Sequence, residues 1–197
     1  MKKLVLASTN KNKLTEIQKS FEELHIYDVE IEVIHKSLLK EPEEPYDTFK
    51  ANSLHKAKHY ANLTGCITLS EDSGLVVEEL GGFPGVYSKE FILENKGVSG
   101  AIISLERKLE NSSEKKASFV SAVSVYDPNN LLFISNEAEE KGNLCFPPKG
   151  NYGYGFDPIF IPEGHSRTFA EMTMKEKNSV SHRLRVLEES LIQIIRW

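Results

Sequence analysis

Lys3-Leu4-Val5-Leu6-Ala7-Ser8-Thr9-Asn10-Lys11-Asn12-Lys13 joins a short apolar run to a polar stretch, and Leu14, Ile17, Phe21 and Leu24 follow at helical spacing. This predicts a buried strand, a polar loop and an amphipathic helix. Val29, Ile31 and Val33 alternate with Glu30 and Glu32, the pattern of a half-buried strand near a sheet edge. After the acidic loop Lys40 to Asp47, Asp47 or Thr48 is placed to cap a helix that runs to about Leu63.

Cys66 to Leu69 read as a second buried strand, ending at Ser70-Glu71-Asp72-Ser73-Gly74, with a further apolar run from Leu75 to Leu80. Gly100 to Leu109 read as a helix. Ala117 to Tyr126 and Leu131 to Ser135 read as strands joined by the turn Asp127-Pro128-Asn129-Asn130, with Asn136 to Leu144 as another strand. The glycine-aromatic loop Tyr152 to Phe156 leads to a short strand, Pro158 to Ile161. Val180, Leu184, Leu187, Leu191 and Ile194 then mark one long final helix behind a capping box at Thr173 and Glu176. Helices interleaved with strands predict an α/β protein on a mixed β-sheet, formed as one domain over residues 1–197.

Hydrophobic residues make up 40% of the 197 and charged residues 27%, the balance of an ordinary globule and not of a disordered or collagenous chain. A net charge of −5 argues against a protein that holds nucleic acid by general phosphate attraction. Cys66 and Cys145 form no CxxC pair and suggest no disulfide scaffold. Leu4 to Ala7 is too short for a signal peptide or a membrane span, so the expected location is the cytoplasm.

Four clusters carry candidate chemistry. Ser8 to Lys13 lie where a helix N-terminus favours a phosphate, although an ordinary capped junction reads the same way. Glu71 and Asp72 end a buried strand, where α/β sheets expose ligand-binding groups. Hard oxygen donors there suit Mg²⁺, and the plain alternative is a turn cap. Lys175, Lys177, His182, Arg183 and Arg185 gather basic charge at the start of the last helix, with His182 and Arg183 as neighbours able to look into one cleft. The Tyr152 to Phe156 loop can stack a flat base or pack against the sheet. Together the clusters describe a site for a magnesium-bound nucleotide.

In order along the chain, Ser8-x-Asn10-x-x-Lys13, Thr48-Phe49 with Asn52 and Lys56, Ser70-Glu71-Asp72-Ser73-Gly74-Leu75, Gly81-Gly82-x-Pro84-Gly85-x-Tyr87-Ser88, Gly153-Tyr154-Gly155-Phe156-Asp157-Pro158 and Glu176-Lys177-Asn178-x-x-Ser181-His182-Arg183 resemble the inosine triphosphate pyrophosphatase (Ham1-like) family. The resemblance implies a mixed-sheet α/β fold with flanking helices, in two lobes around a central nucleotide-binding cleft. It also implies a homodimer and Mg²⁺-dependent hydrolysis of deaminated purine nucleoside triphosphates (ITP, dITP, XTP, dXTP) to the monophosphate and pyrophosphate.

Carried over residue by residue, it makes Ser8, Thr9, Asn10, Lys11, Asn12 and Lys13 phosphate ligands, with Lys56 assisting. Asp72 becomes general base and metal ligand, Glu44 the second metal ligand, and Ser73 a substrate contact. Tyr154, Gly155, Phe156, Asp157, Lys177, His182 and Arg183 enclose the base. The chain departs from the usual pattern in having Glu71-Asp72 for two aspartates and Tyr154-Gly155-Phe156 for Phe-Gly-Tyr or Phe-Gly-Trp. It also lacks a glycine before Thr48-Phe49, and these departures leave Glu43 and Glu71 as competitors to Glu44 for completing the metal site.

Leu6-Ala7-Ser8 is shared with the Maf-like pyrophosphatases, which act on dTTP or UTP, but their paired arginines are missing here. A nucleotide- or RNA-binding module without catalysis is the other reading, and the acidic Asp72 argues against it.

Overall fold

The structure, a computed structural model, describes residues 2–8, 10–23, 29–34 and 42–195. Thr9, Leu24 and the start of the acidic loop lie outside them. Strands β1 (Lys2–Leu6), β2 (Val29–Val33), β3 (Ile67–Val77), β4 (Lys116–Asp127), β5 (Leu132–Leu144) and β6 (Phe160–Pro162) form a single sheet in the order β2-β1-β3-β4-β5-β6. β1 runs parallel to β2 and β3, whereas β6 is antiparallel to β5, so the sheet is mixed. Its edge strand β2 carries the alternating glutamates.

Helices α1 (Lys11–Glu23) and α2 (Phe49–Thr64) follow β1 and β2, α3 (Ser88–Glu94) and α4 (Val98–Lys108) lie between β3 and β4, and α5 (Met174–Val180) and α6 (His182–Ile195) close the chain. The Thr48 side chain accepts from Ala51 N–H at the start of α2. Gly65, at φ 69°, closes the other end by donating its N–H to Ala61 C=O.

The chain packs as two compact units. Unit one comprises 1–72, 121–138 and 183–197, and unit two comprises 73–120 and 139–182. Strands β3, β4 and β5 contribute residues to both. The core of unit one gathers Leu4 and Leu6 of β1, Ile17 and Phe21 of α1, Val123 and Val125 of β4, and Leu187, Leu191 and Ile194 of α6. That of unit two gathers Leu75 and Val77 with Leu105, Phe160, Phe169 and Met172.

Four elements differ from the sequence reading. β3 does not stop at Ser70 but continues through Ser70-Glu71-Asp72-Ser73-Gly74 to Val77. The two carboxylates persist in the strand because the backbone ladder remains paired and Lys13, Arg183 and Ser121 meet Glu71 while Lys56 meets Asp72. Leu131 to Leu144, expected as two strands, is one long strand from Leu132. Its turn is held by the Asp127 carboxylate, which accepts from Asn129 N–H and from Asn130 N–H and side-chain amide. Helix α3 carries no long apolar stripe, so the sequence pattern does not announce it.

The final helix is broken. The Thr173/Glu176 capping box starts the seven-residue α5, and Ser181, extended at φ −72° and ψ 121°, separates it from α6. Val180 therefore belongs to the core of unit two, not to the α6 stripe.

The capping box generates a prediction. Glu176 accepts from Arg167 Nη2 at 2.6 Å and from Thr173 N–H at 2.8 Å, and these bonds hold its carboxyl down at about 2. Its folded value lies below its ordinary 4.5, so its stabilisation is present above that pH and is lost as the pH falls toward about 2. Melting temperatures of Glu176→Gln between pH 6 and pH 2 should accordingly fall less steeply than those of the parent.

Candidate functional site

In unit one, β3 carries two adjacent buried carboxylates, and strand alternation gives each its own partners. Glu71, with its side chain 1% exposed, accepts from Ser121 Oγ at 2.6 Å and Arg183 Nε at 2.8 Å on Oε1, and Lys13 Nζ lies 3.1 Å from Oε2. Asp72 Oδ1 accepts from Lys56 Nζ at 3.2 Å, and the same ammonium donates to Glu44. Asp72 Oδ2 is buried and has no hydrogen-bond partner among the described residues.

The two carboxyls are tuned in opposite directions. Burial would raise Glu71, but the charges of Arg183 and Lys13 and the bonds from Ser121 and Arg183 outweigh it and hold it well below the usual range. Burial pushes Asp72 up, and Glu44 adds to the rise against the opposing pull of Lys56 and Lys13. Lys56, although burial would lower it, is raised by Asp72 and Glu44 and stays an ammonium.

Local bonds set these positions. Asn10 begins α1: its side-chain Oδ1 accepts from Lys13 N–H at 3.3 Å and its C=O from Leu14 N–H at 3.0 Å. Ser8 Oγ accepts from Asn10 N–H at 3.2 Å. Lys13 thus enters the first turn of α1 directly after the loop that leaves β1. Glu44 is brought to Lys56 by buried Asn52, whose side-chain amide both accepts from Tyr46 N–H and donates to Tyr46 C=O, each at 3.0 Å.

In unit two, buried Asp157 organises the glycine-aromatic loop. Its Oδ2 accepts from Tyr154 N–H and from Lys177 Nζ, both at 2.8 Å. A Cβ on Gly153, at φ 73°, would lie 2.1 Å from that same oxygen, so only glycine lets the carboxylate reach across. Lys177 Nζ sits 5.3 Å from the centre of the Tyr154 ring and 5.4 Å from that of Phe169. His182 is buried, its ring stacked on Phe119 at 5.7 Å with 4° between planes.

The Ham1 family model matches residues 4–192. A dITP/XTP pyrophosphatase of Caulobacter vibrioides is 39% identical over 187 residues, 93% of each chain. One of Aquifex aeolicus is 36% identical over 204 residues, 98% of this chain and 96% of the relative. A HAM1 protein from Coxiella burnetii superposes over 100% of both chains with a TM-score of 0.86 and 33% identity. The Staphylococcus aureus Ham1 protein gives 0.84 and 28%, over 99% of this chain and 98% of that one. The chain belongs to the Ham1 family.

Within this Ham1 chain, Lys13, Glu44, Lys56, Asp72 and Arg183 converge in unit one. Tyr154, Asp157, Lys177 and His182 lie in unit two, as does Ser73, the residue after Asp72. Thr9 and the Asn12 side chain fall outside the described residues. Phe156 is buried in the core of unit two and stacks on Phe91 at 6.5 Å. His182 and Arg183 meet different partners: the ring of one packs on Phe119 and the guanidinium of the other meets Glu71.

No three His, Cys, Asp or Glu side chains gather as a metal-binding group among the described residues. The buried Asp72 Oδ2 and the adjacent Glu44 nevertheless fit a hard cation that takes one or two carboxylates and completes its shell with water and phosphate oxygens. Ser121 is the residue that the sequence reading missed. Its available signal was a buried strand carrying Ser118, Ser121 and Ser124, hydroxyls that burial obliges to find partners.

Gly153→Ala should disturb the loop without touching unit one. We expect a loss of about 1–3 kcal/mol in stability, with the KM for nucleotide rising more than kcat falls, measured by thermal denaturation and steady-state kinetics.

Proposed function

We propose that this chain is a hydrolase that converts deaminated purine nucleoside triphosphates, with ITP, dITP and XTP as the substrate class, to the monophosphate and pyrophosphate. The reading is supported by membership of a family whose relatives bear the name dITP/XTP pyrophosphatase. The observation that carries it is the buried Asp72, one oxygen held by Lys56 and the other without a hydrogen-bond partner among the described residues.

Asp72 Oδ2 is the proton acceptor for the water that attacks the α-phosphorus, and Lys56 fixes the orientation of the carboxylate. Lys13, Asn10, Ser8 and the N-terminus of α1 bind the phosphate chain, to which Thr9, Lys11 and Asn12 belong by position. Mg²⁺, held by Asp72 and Glu44, supplies neutralisation of the phosphate oxygens when bound.

The base is assigned to unit two, where Lys177, Tyr154 and His182 offer a cation, a ring and an imidazole, with Ser73 as a further contact. An acceptor O6, as in hypoxanthine and xanthine, satisfies donors of this kind, whereas the amino group of adenine leaves them facing another donor. Both units act as one catalytic domain, and the enzyme is a cytoplasmic homodimer in this reading. Among the described residues no helix is long and apolar enough to cross a membrane.

Pyrophosphate release should be measured with ITP, XTP, GTP, ATP and dTTP, each with and without Mg²⁺. Fast Mg²⁺-dependent release from ITP and XTP alone is expected, and preference for dTTP would overturn the substrate class. Asp72→Asn should abolish turnover while nucleotide affinity stays within about tenfold. Normal turnover in that variant would remove Asp72 as the base.

A further inference from the structure

Glu71 is more deeply buried than Asp72 and is not used in the mechanism above, although three partners converge on it. They hold it unequally. On Oε1 it accepts two short bonds, from Ser121 and Arg183. Oε2 accepts no hydrogen bond of good geometry among the described residues and meets Lys13 only as a charge at 3.1 Å. The Lys13 side chain is 18% exposed, against 8% for Arg183, so Lys13 is the partner with the readier route to solvent. It also stands in the first turn of α1, where the helix dipole favours an anion and opposes a lysine without a counter-charge.

We propose that Glu71 is a positioning residue that parks Lys13 while no phosphate is bound, yields it to the incoming triphosphate, and holds Arg183 throughout. This rests on the pyrophosphatase reading given above. Glu71 is not a metal ligand: a carboxylate facing a guanidinium, an ammonium and a hydroxyl is already neutralised, and its two cations repel a third. Parking lowers apparent phosphate affinity by the fraction of time Lys13 is free. If it is parked about nine times in ten, the loss is about tenfold.

The test is a double-mutant cycle on the full chain, with inorganic pyrophosphate as the calorimetric probe and ITP as the kinetic one. Glu71→Gln should bind pyrophosphate about tenfold more tightly, with KM and kcat for ITP falling together as product is retained. Lys13→Met should bind it more weakly, and the double variant should show no gain over Lys13→Met alone. The Mg²⁺ concentration for half-maximal rate should not change in Glu71→Gln. Ser121→Ala supplies the control for a structural effect, losing melting temperature without tightening pyrophosphate.

Unchanged or weaker pyrophosphate binding in Glu71→Gln, a gain that survives in the Lys13→Met background, or an increased Mg²⁺ requirement would each overturn the proposal. If Glu71→Gln does not fold, Glu71→Asp withdraws the charge by one methylene. It should shift pyrophosphate affinity in the same direction by a smaller factor, and no shift counts against parking. Absence of ITP turnover in the parent protein would refute the pyrophosphatase reading, whereas the binding cycle judges Glu71 separately.

Discussion

Two carboxylates buried side by side on β3 dictate how much of unit one is arranged. Removing a carboxylate from water costs several kcal/mol even after relaxation, and the cost is recovered only if cations and donors meet it with good geometry. Strand alternation forbids Glu71 and Asp72 from sharing one partner set. Each therefore draws its own: Lys13 from α1, Arg183 from α6 and Ser121 from β4 for Glu71, and Lys56 from α2 for Asp72. Removal of Lys56 leaves the buried Asp72 with no cation bonded to it, which typically costs about 3–5 kcal/mol, whereas Glu71 retains one cation when it loses the other. The charge pairs thus constrain three helices against one strand in addition to the apolar contacts of Leu4, Ile17, Leu187 and Leu191.

The same arrangement makes the two acids chemically unlike. Glu71, facing two cations and a hydroxyl, is held well below the usual carboxylate range, while Asp72 is raised by burial; each keeps one oxygen without a hydrogen bond among the described residues, but that of Glu71 has the Lys13 ammonium 3.1 Å away. A proton acceptor needs an available lone pair and a basicity above that of an ordinary aspartate, and neighbouring acids pushed apart by their surroundings take different roles. Lys56 fits this division. It carries the charge that opposes the upward push of burial on Asp72, but it binds only one oxygen and is shared with Glu44. Unit two repeats the device on a smaller scale, with Asp157 and Lys177 neutralising one another while the carboxylate ties down the Tyr154 amide.

Legibility from sequence followed the range of the interaction. The β1-loop-α1 opening, the edge strand β2, the Thr48 cap and the Thr173/Glu176 box depend on residues within a few positions of one another, and each was readable in the chain. The β3 boundary was not, because Ser70-Glu71-Asp72-Ser73-Gly74 has the composition of a turn, and only partners elsewhere make it tolerable inside a strand. The Glu71 to Arg183 bond spans 112 positions and the Glu71 to Ser121 bond spans 50, so no local pattern contains them. The family resemblance makes Asp72, Lys13 and Lys56 candidate site residues, but it carries no information on which charge faces which.

The break at Ser181 shows why that gap matters. A continuous helix from Val180 to Ile194 satisfies the apolar periodicity, since the stripe is indifferent to whether one peptide between its members is helical. The chain instead adopts an extended Ser181, and Lys177, His182 and Arg183 acquire separate surroundings: a carboxylate in the glycine loop, the face of Phe119, and the carboxylate of Glu71. At separations of one, five and six positions these residues are not neighbours on one helix face, so the effect of the break lies in what each one reaches. Divided by the break, Lys177 and Arg183 each find an acid, and His182 lies flat on an aromatic ring. The periodic signal reports burial, and the break accompanies polar and ring contacts that a hydrophobic pattern does not weigh.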